Sequence, residues 1–265
     1  MIYELISMKD RVSLITGGAG HLGRAMASAL AEIGSSVVIV DLDLEMCQVV
    51  ADELTETFNV PTLPIGVDLT NEDALRTIVN QVDKQFGRLD VLVNNAAYVG
   101  TSALKGWAVP FEEQTSESWR KAFDINLTAV FNLTQAFEPL LKDSMKGSII
   151  NIASIYGIVG PDLRLYAGTG MGNPAAYAAS KGGLIQFTRW CATALAPNIR
   201  VNAITPGGIS RNQAKDFVER YVSRTPLGRM ASENDFLGAV AYLASDLSAY
   251  VTGHNLVVDG GWSVW

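Results

Sequence analysis

Short apolar runs alternate along the chain with longer segments in which apolar residues recur every three or four positions. The first pattern is typical of β-strands and the second of amphipathic helices, so their alternation predicts βαβ units on a parallel sheet. Several runs are apolar throughout, as strands buried on both faces are. The predicted strands are Val12–Thr16, Ser36–Val40, Thr62–Val67, Val91–Asn94, Ser148–Ala153, Arg200–Ile204 and Leu256–Val258.

Helical segments lie between these strands, and no linker, repeat or low-complexity stretch divides the chain. We therefore expect one α/β domain over residues 1–265, a Rossmann-like doubly wound parallel sheet of about seven strands with helices on both faces. Residues 1–8 form an N-terminal extension of this domain. The predicted helices are Leu22–Ile33, Leu44–Phe58, Glu72–Phe86, Glu117–Leu141, Tyr177–Leu195 and Asn234–Ala244.

Three longer stretches fit no regular element, namely Tyr98–Ser116, Ile155–Pro174 and Gly207 to about Pro226. They follow the fourth, fifth and sixth strands, so all three leave the sheet at the carboxyl ends of strands. Ligands of open α/β sheets bind at that edge. The three stretches are therefore predicted to surround the functional site.

Composition narrows the possible partners and compartments. The formal net charge of −7 argues against nucleic acid as the main partner, although an acidic protein can bind an anionic cofactor through backbone amides. No apolar run reaches the ~18 residues of a membrane span, and the amino terminus lacks a secretory signal pattern. Cys47, Cys191, His21 and His254 lack metal-ligand spacing. We expect a cytoplasmic protein with no membrane partner and no metal site.

A glycine-rich turn, T-G-G-A-G-H-L-G from Thr16 to Gly23, joins the first strand to the first helix. Glycines allow a tight turn, and the free N–H groups of a helix start can bind a pyrophosphate. A lone G-x-G-x-x-G match is as often an ordinary turn, but this position favours a dinucleotide site. The predicted cofactor contacts of the turn are Gly17, Gly18, Gly20, His21 and Leu22.

Asp41 ends the second strand, 21 residues after Gly20. A carboxylate at this position can accept hydrogen bonds from the adenosine ribose and would repel a 2′-phosphate. The alternative is a surface carboxylate that caps the next helix. No Lys or Arg follows nearby, and Arg24 is the one cation near the turn, so NAD is favoured over NADP. Asp68 and Leu69, after the third strand, are predicted to border the adenine, with a helix cap as the alternative.

Tyr177 and Lys181 form a Y-x-x-x-K pair whose side chains share one helix face. A free tyrosine has a pKa of about 10, too high for a base near neutrality, and a neighbouring ammonium favours the phenolate. In isolation such a pair is usually a solvated helix face. The assignment therefore depends on what lies around it.

Further motifs stand at strand ends. Ser154 ends the fifth strand in N-I-A-S, Asn126 lies in the preceding helix, and N-N-A-A begins at Asn94. P-G follows the sixth strand and V-D-G-G lies near the end of the chain. Together with Y-x-x-x-K, these motifs resemble the short-chain dehydrogenase/reductase family, of the single-domain type, over nearly all of residues 9–262.

The resemblance implies a role for each matching residue. Tyr177 would be the acid/base, and Ser154 would hold the substrate oxygen and donate a hydrogen bond to the developing oxyanion. Lys181 would bind the nicotinamide ribose and lower the pKa of Tyr177, and Asn126 would hold a water in the proton relay. Further predicted cofactor neighbours are Asn95, Ala96, Gly207 and Ile209.

Two features depart from the family pattern. The family's glycine turn, T-G-x-x-x-G-x-G, would require glycine where this chain has His21, and we expect Gly20 to supply the permissive backbone geometry one residue early. Ser154 and Tyr177 are 23 positions apart, longer than the usual interval by most of the segment Pro161–Gly170. The extra length is expected to overhang the substrate pocket.

The two extended stretches before and after the fifth strand supply candidate substrate contacts. Aromatic rings can stack on sugars, and cations can pair with phosphate. The alternative is that these stretches only cover the sheet or form subunit contacts. The predicted substrate residues are Trp107, Arg164, Tyr166 and Asn173, with Lys105 near them.

The leading hypothesis is an NAD(H)-dependent oxidoreductase that interconverts a secondary alcohol and a ketone on a sugar or nucleotide sugar. A 3-oxoacyl-type or small-ketone reductase is the alternative within enzymes, but it would normally use NADPH. An NAD-binding regulatory scaffold is the alternative outside enzymes. The resemblance also implies a homotetramer, with helices Glu117–Leu141 and Tyr177–Leu195 at one interface and Trp262–Trp265 at another.

Overall fold

The computed structural model describes residues 1–99, 102 and 104–265. In this part of the chain seven parallel strands form one sheet in the order β3-β2-β1-β4-β5-β6-β7. The order changes direction between β1 and β4, which is where open α/β sheets bind ligands. The strands are β1 (Val12–Thr16), β2 (Ser36–Asp41), β3 (Thr62–Gly66), β4 (Val91–Asn94), β5 (Gly147–Ile152), β6 (Ile199–Pro206) and β7 (Asn255–Val258).

Helices cover both faces of the sheet. One hydrophobic core lies between the sheet and α2, α3 and α9, and the other lies between the sheet and α4, α6 and α7. Ile15 of β1 packs into the first core and its neighbour Leu14 into the second, which explains why adjacent positions of the strand are both apolar. The Rossmann-like doubly wound fold is confirmed. The described helices are α1 (Ile2–Ile6), α2 (His21–Glu32), α3 (Leu44–Phe58), α4 (Glu72–Phe86), α5 (Ser116–Phe123), α6 (Ala129–Asp143), α7 (Ala175–Ala194), α8 (Lys215–Ser223) and α9 (Leu237–Ala244).

Two helical regions differ from the sequence-based prediction. The predicted helix Glu117–Leu141 is α5 and α6 joined by a π-helical turn at Asp124–Thr128. Such turns insert an extra residue and are frequent at functional sites. The stretch from Gly207 to Pro226 contains α8, so interpreting all of it as irregular was wrong. α8 forms because Phe217 and Tyr221 bury one face of it.

The segment Ile155–Pro174 docks on α8. The Arg220 guanidinium of α8 donates hydrogen bonds to the carbonyl oxygens of Leu165, at 3.2 Å, and Ala167, at 2.6 Å. Asp162 of the segment forms an ion pair with Arg224. The segment and α8 therefore form one connected wall at the carboxyl edge of the sheet.

In the described part of the chain, no helix has the length and apolar character needed to cross a membrane. The same residues contain no group of three or more His, Cys, Asp or Glu side chains arranged to hold a metal ion.

Candidate active site

The glycine turn lies at the carboxyl end of β1. Gly17 has φ +62°, a conformation that favours glycine, and a Cβ on Gly23 would lie 2.0 Å from the Gly17 carbonyl oxygen. Gly20 has φ −75° at the start of α2, so it does not supply the special geometry that the departure at His21 led us to expect. His21 is exposed and lines the cleft that opens here.

Gly18 faces the sheet and not the cleft. Its N–H donates to the Val40 carbonyl at 3.1 Å, and a Cβ would lie 2.9 Å from the Ile15 carbonyl oxygen. The prediction that Gly18 contacts the cofactor is therefore corrected: it joins the turn to β1 and β2. The other predicted cofactor residues that line the cleft are Gly17, Gly20, Leu22, Asp41, Asp68, Leu69, Asn95, Ala96, Tyr177, Lys181, Gly207 and Ile209.

Asn95 holds the turn from the end of β4. Its side-chain amide donates to the carbonyl oxygens of Thr16, at 3.0 Å, and Gly17, at 3.1 Å. Its backbone N–H donates to the Thr16 hydroxyl, which also accepts from the N–H of Ala96. These bonds connect the turn after β1 to the turn after β4 and position the floor of the cleft.

Asp41 stands at the opposite edge of the turn from the catalytic residues. One carboxylate oxygen accepts from the N–H of Ala19 at 3.1 Å, and the other accepts from its neighbour Leu42 at 2.8 Å. These bonds fix the carboxylate on the cleft wall, and each oxygen keeps acceptor capacity. Arg24 is ion-paired with Glu53 and does not line the cleft.

Asp68 also lines the cleft, but one of its oxygens is bound locally. That oxygen accepts from the N–H of Thr70 at 2.9 Å and from the Thr70 hydroxyl at 2.7 Å. The carboxylate thus stabilises the turn before α4, close to the cap that was the alternative interpretation. α4 itself is capped by Asn71.

Ser154, Tyr177 and Lys181 meet in the same cleft. Ser154 follows β5 and is buried, and its hydroxyl accepts from the N–H of Tyr156 at 3.2 Å. Tyr177 lies in the first turn of α7, whose N-terminus is capped from outside because Gln114 accepts from the N–H of Ala175 at 2.9 Å. The helix start is therefore held in place from the facing loop.

Lys181 is almost fully buried one turn after Tyr177. Its ammonium donates to the Ile152 carbonyl oxygen at 2.6 Å and lies 5.9 Å from the centre of the Tyr177 ring. Burial lowers the pKa of Lys181 to about 8, because an ammonium loses hydration in a buried site.

Burial raises the pKa of the Tyr177 phenol above its ordinary value, while its hydrogen bond with Ser154 acts in the opposite direction. The net shift is upward because the phenol loses hydration on burial, and the lowering of this pKa by Lys181 stays a prediction. Tyr177 is therefore protonated here, as a proton donor must be.

Asn126 lies in the π-helical turn and is completely buried. Its side-chain amide accepts from the N–H of Tyr98 at 2.8 Å and donates to the Tyr98 carbonyl at 3.2 Å and the Ser180 hydroxyl at 3.1 Å. It does not line the cleft. The side chain braces the loop after β4 against α7, and the water that the resemblance assigns to Asn126 stays a prediction.

The predicted substrate residues divide into two pairs. Tyr166 and Asn173 line the cleft. Trp107 does not: it is buried and its indole N–H donates to the Val99 carbonyl at 2.8 Å. Arg164 is exposed and pairs with Asp162 beside a separate surface depression. Trp107 and Arg164 are therefore corrected as substrate contacts, and Lys105 likewise lies outside the cleft lining.

Sequence reasoning missed several residues of the cleft. Tyr156, two positions after Ser154, and Phe217 and Tyr221 of α8 all line it. Phe217 and Tyr221 could have been predicted, since they are four residues apart among charged residues, as on an amphipathic helix. Met171 and Met230 complete this apolar side.

The cleft suits a dinucleotide and a substrate together. Its volume of about 1300 Å³ exceeds the range of about 300–1,000 Å³ of most small-ligand pockets. Gly17 and Gly23 approach each other closely and have no side chains, so the place where the phosphates would bind is lined by backbone. Asp41 offers hydrogen-bond acceptors at one end of the cleft. Lys181 and Tyr177 stand at the other end. The residues present therefore fit a nicotinamide dinucleotide.

Comparisons with known proteins agree with this arrangement. A family model described as enoyl-(acyl carrier protein) reductase matches residues 17–263. A 3-oxoacyl-(acyl-carrier-protein) reductase of Thermotoga maritima is 34% identical over 96% of this chain and 98% of its own. A cyclopentanol dehydrogenase of Comamonas sp. is 35% identical over 97% and 98%.

Solved structures give the same result. A short-chain type dehydrogenase/reductase from Mycobacterium marinum superposes with a TM-score of 0.87 at 30% identity, over 99% of each chain. NAD+-bound xylitol dehydrogenase has a TM-score of 0.86 at 30% identity, over 96% of this chain and 99% of its own. This chain therefore belongs to the short-chain dehydrogenase/reductase family of oxidoreductases.

Proposed function

We propose that this enzyme interconverts a secondary alcohol and its ketone, with NAD(H) as the redox partner. One observation carries the proposal: Ser154, Tyr177 and Lys181 line one end of a single cleft whose other end is lined by Asp41. The cofactor, when bound, supplies the acceptor or donor of the hydride. The chain supplies the proton and holds the oxygen.

In the direction of ketone reduction, the protonated Tyr177 hydroxyl gives its proton to the substrate oxygen as that oxygen gains charge. Ser154 donates a hydrogen bond to the same oxygen, which lowers the energy of the developing oxyanion. In alcohol oxidation Tyr177 must first lose its proton, and it then takes the proton of the substrate hydroxyl.

Lys181 supplies the charge that this step needs. Its ammonium lies near the Tyr177 ring and, among the described residues, is held by one acceptor, the Ile152 carbonyl. An ammonium has three donors, so two remain for the ribose hydroxyls of the cofactor and for the phenolate. A positive charge there stabilises the phenolate form of Tyr177.

The proposed cofactor is NAD and not NADP. Asp41 presents a fixed carboxylate to the cleft, and Arg24, the cation nearest the turn in sequence, is occupied by Glu53. A carboxylate accepts hydrogen bonds from ribose hydroxyls and repels a 2′-phosphate.

The proposed substrate is a neutral, hydroxylated compound such as a sugar or a cyclic polyol. Among the described residues that line the cleft, Lys121 and Arg211 pair with Glu117 and Glu233, and Lys181 serves the catalytic site. Since Arg164 lies elsewhere, no observation favours a phosphate-bearing nucleotide sugar. The names of two relatives, cyclopentanol dehydrogenase and xylitol dehydrogenase, support a small alcohol.

A second candidate is the reduction of a 3-oxoacyl thioester, which the 34% identical reductase of Thermotoga maritima favours. Initial rates separate the two. The purified enzyme is assayed with NAD+ and with NADP+ against xylitol, cyclopentanol and cyclohexanol, and with NADH and NADPH against a 3-oxoacyl thioester. Turnover of the thioester with NADPH, and of no alcohol with NAD+, would contradict the proposal.

We further propose a cytoplasmic homotetramer. Phe131 of α6 and Trp190 of α7 are 45% and 61% exposed, and Phe187 packs between them. Exposed aromatic clusters of this kind mark interaction surfaces. Light scattering at micromolar concentration should give the tetramer mass, and a monomer would contradict this.

A further inference from the structure

A pair of phenols faces the cleft beside the catalytic residues. The hydroxyls of Tyr156 and Tyr166 are hydrogen-bonded to each other at 2.7 Å, and both residues line the cleft. The backbone N–H of Tyr156 donates to the Ser154 hydroxyl at 3.2 Å, so the pair lies beside the catalytic serine.

Asn173 completes a polar group with this pair. Its side-chain NH₂ donates to the Tyr166 hydroxyl at 3.5 Å, the outer limit of a hydrogen bond. Its carbonyl oxygen is buried and has no hydrogen-bond partner in the described part of the chain. A buried acceptor without a partner is unfavourable, so a donor from a ligand would be bound favourably.

The hydrogens of this group define what it can bind. Two hydroxyls that share one hydrogen bond use one of their two hydrogens, and the other remains free to donate. Burial and the neighbouring Tyr166 raise the pKa of Tyr156 far above its ordinary value, so the Tyr156 phenol stays protonated. The group therefore offers one donor, from the phenols, and one acceptor, from Asn173.

We infer that Tyr156, Tyr166 and Asn173 form a subsite for a second hydroxyl of the substrate. A hydroxyl donates one hydrogen and accepts another, so it can satisfy both the phenol and the Asn173 oxygen. A carbonyl, ether or halogen can satisfy only the phenol. The inference rests on the proposed function, because the first hydroxyl is the one that Tyr177 and Ser154 hold.

The surroundings of the subsite favour a carbon ring as the skeleton that joins the two hydroxyls. The ring centres of Phe217 and Tyr166 are 5.3 Å apart, and Met171 and Met230 line the same side of the cleft. These side chains offer apolar surface between two polar points. The substrate class is therefore a cyclic diol or a cyclic polyol.

The test compares diols with a matched alcohol. Rates of NAD+ reduction are measured with cyclohexanol, with 4-methoxycyclohexanol and with the 1,2-, 1,3- and 1,4-cyclohexanediol isomers, on the wild type and on Tyr166→Phe and Asn173→Leu. Tyr250→Phe makes the same chemical change on a fully exposed tyrosine and serves as the control. Titration with NADH shows that each variant is folded and binds cofactor.

At least one diol should exceed cyclohexanol and the methoxy compound in kcat/KM by about tenfold, the effect of one well-placed hydrogen bond. Each of the two test variants should reduce this ratio about tenfold, mainly through KM, while Tyr250→Phe keeps it. Equal rates for cyclohexanol and every diol, or an unchanged ratio in both test variants, overturn the subsite and leave the proposed function intact. Absence of turnover with every alcohol contradicts the proposed function and the subsite together.

Discussion

Replacing Asp41 by Asn should remove the preference of this enzyme for NAD(H) over NADP(H). The substitution keeps the size of the side chain and removes its negative charge. In the wild type the carboxylate cannot turn away from a 2′-phosphate, because Ala19 and Leu42 donate to its two oxygens. Selectivity should therefore depend on this one charge.

The size of the effect follows from Coulomb's law. Two like charges at about 4 Å repel by about 1 kcal/mol in bulk water and by about 4 kcal/mol at the effective dielectric of a protein surface. Each 1.4 kcal/mol, roughly, is tenfold in affinity. We therefore expect the wild type to bind NADH at least about tenfold more tightly than NADPH, and Asp41→Asn to reduce that ratio to within a few-fold of one.

The assay is calorimetric titration of the wild type and the variant with NADH and with NADPH. Asp43→Asn is the matched control, since Asp43 caps α3 two residues away and does not line the cleft. The ratio should also fall with added salt, because salt screens exposed charges. Equal affinities in the wild type, or a ratio that Asp41→Asn leaves unchanged, would refute the reasoning.

Three other predictions concern the catalytic end and its surroundings. Tyr177→Phe should abolish turnover and leave the NADH affinity nearly unchanged, since it deletes the proton donor and little volume; a substantial residual kcat would assign the proton transfer elsewhere. The NADH affinity should fall as the pH rises through about 8, where buried Lys181 loses its proton, and Lys181→Met should remove this dependence; a Kd that is constant with pH in the wild type contradicts it. Arg164→Ala should leave KM unchanged, because Arg164 pairs with Asp162 outside the cleft; a tenfold rise in KM would return it to the substrate site.

The parts of the fold and site that sequence could predict depend on local chain geometry. Continuous apolar runs such as Val37–Val40 lie in strands buried on both faces, and they were predicted as such. The spacing of Tyr177 and Lys181 puts both on one face of a helix whatever surrounds it. Asp41 follows from its place at a strand end. The structure brings all three of these side chains to one cleft.

The parts that sequence could not predict depend on partners distant in the chain. Trp107 was predicted to contact the substrate, but its indole N–H donates to the Val99 carbonyl and its side chain is buried. Arg164 was predicted to contact the substrate as a cation, but its guanidinium donates to the carboxylate of Asp162, two residues earlier, outside the cleft. In loops the direction of a side chain is set by such contacts and not by periodicity.

The missed helix α8 is different, because its signal was present. Phe217 and Tyr221 are four residues apart, and Lys215 and Glu219 form an ion pair at the same spacing. The segment begins without a side-chain cap and lies in a long stretch rich in glycine and polar residues, which hid this short periodicity.

The brace formed by Asn126 changes how a mutation there should be understood. Its amide satisfies the backbone of Tyr98 and the hydroxyl of Ser180, and Ser180 in turn donates to the Tyr177 carbonyl at 3.0 Å. Truncating the side chain would leave the N–H and carbonyl of Tyr98 without these partners and release the catalytic helix from the loop opposite. A lower rate in Asn126→Ala would thus indicate that Tyr177 is misaligned. Loss of rate at this position does not by itself show that Asn126 takes part in proton transfer.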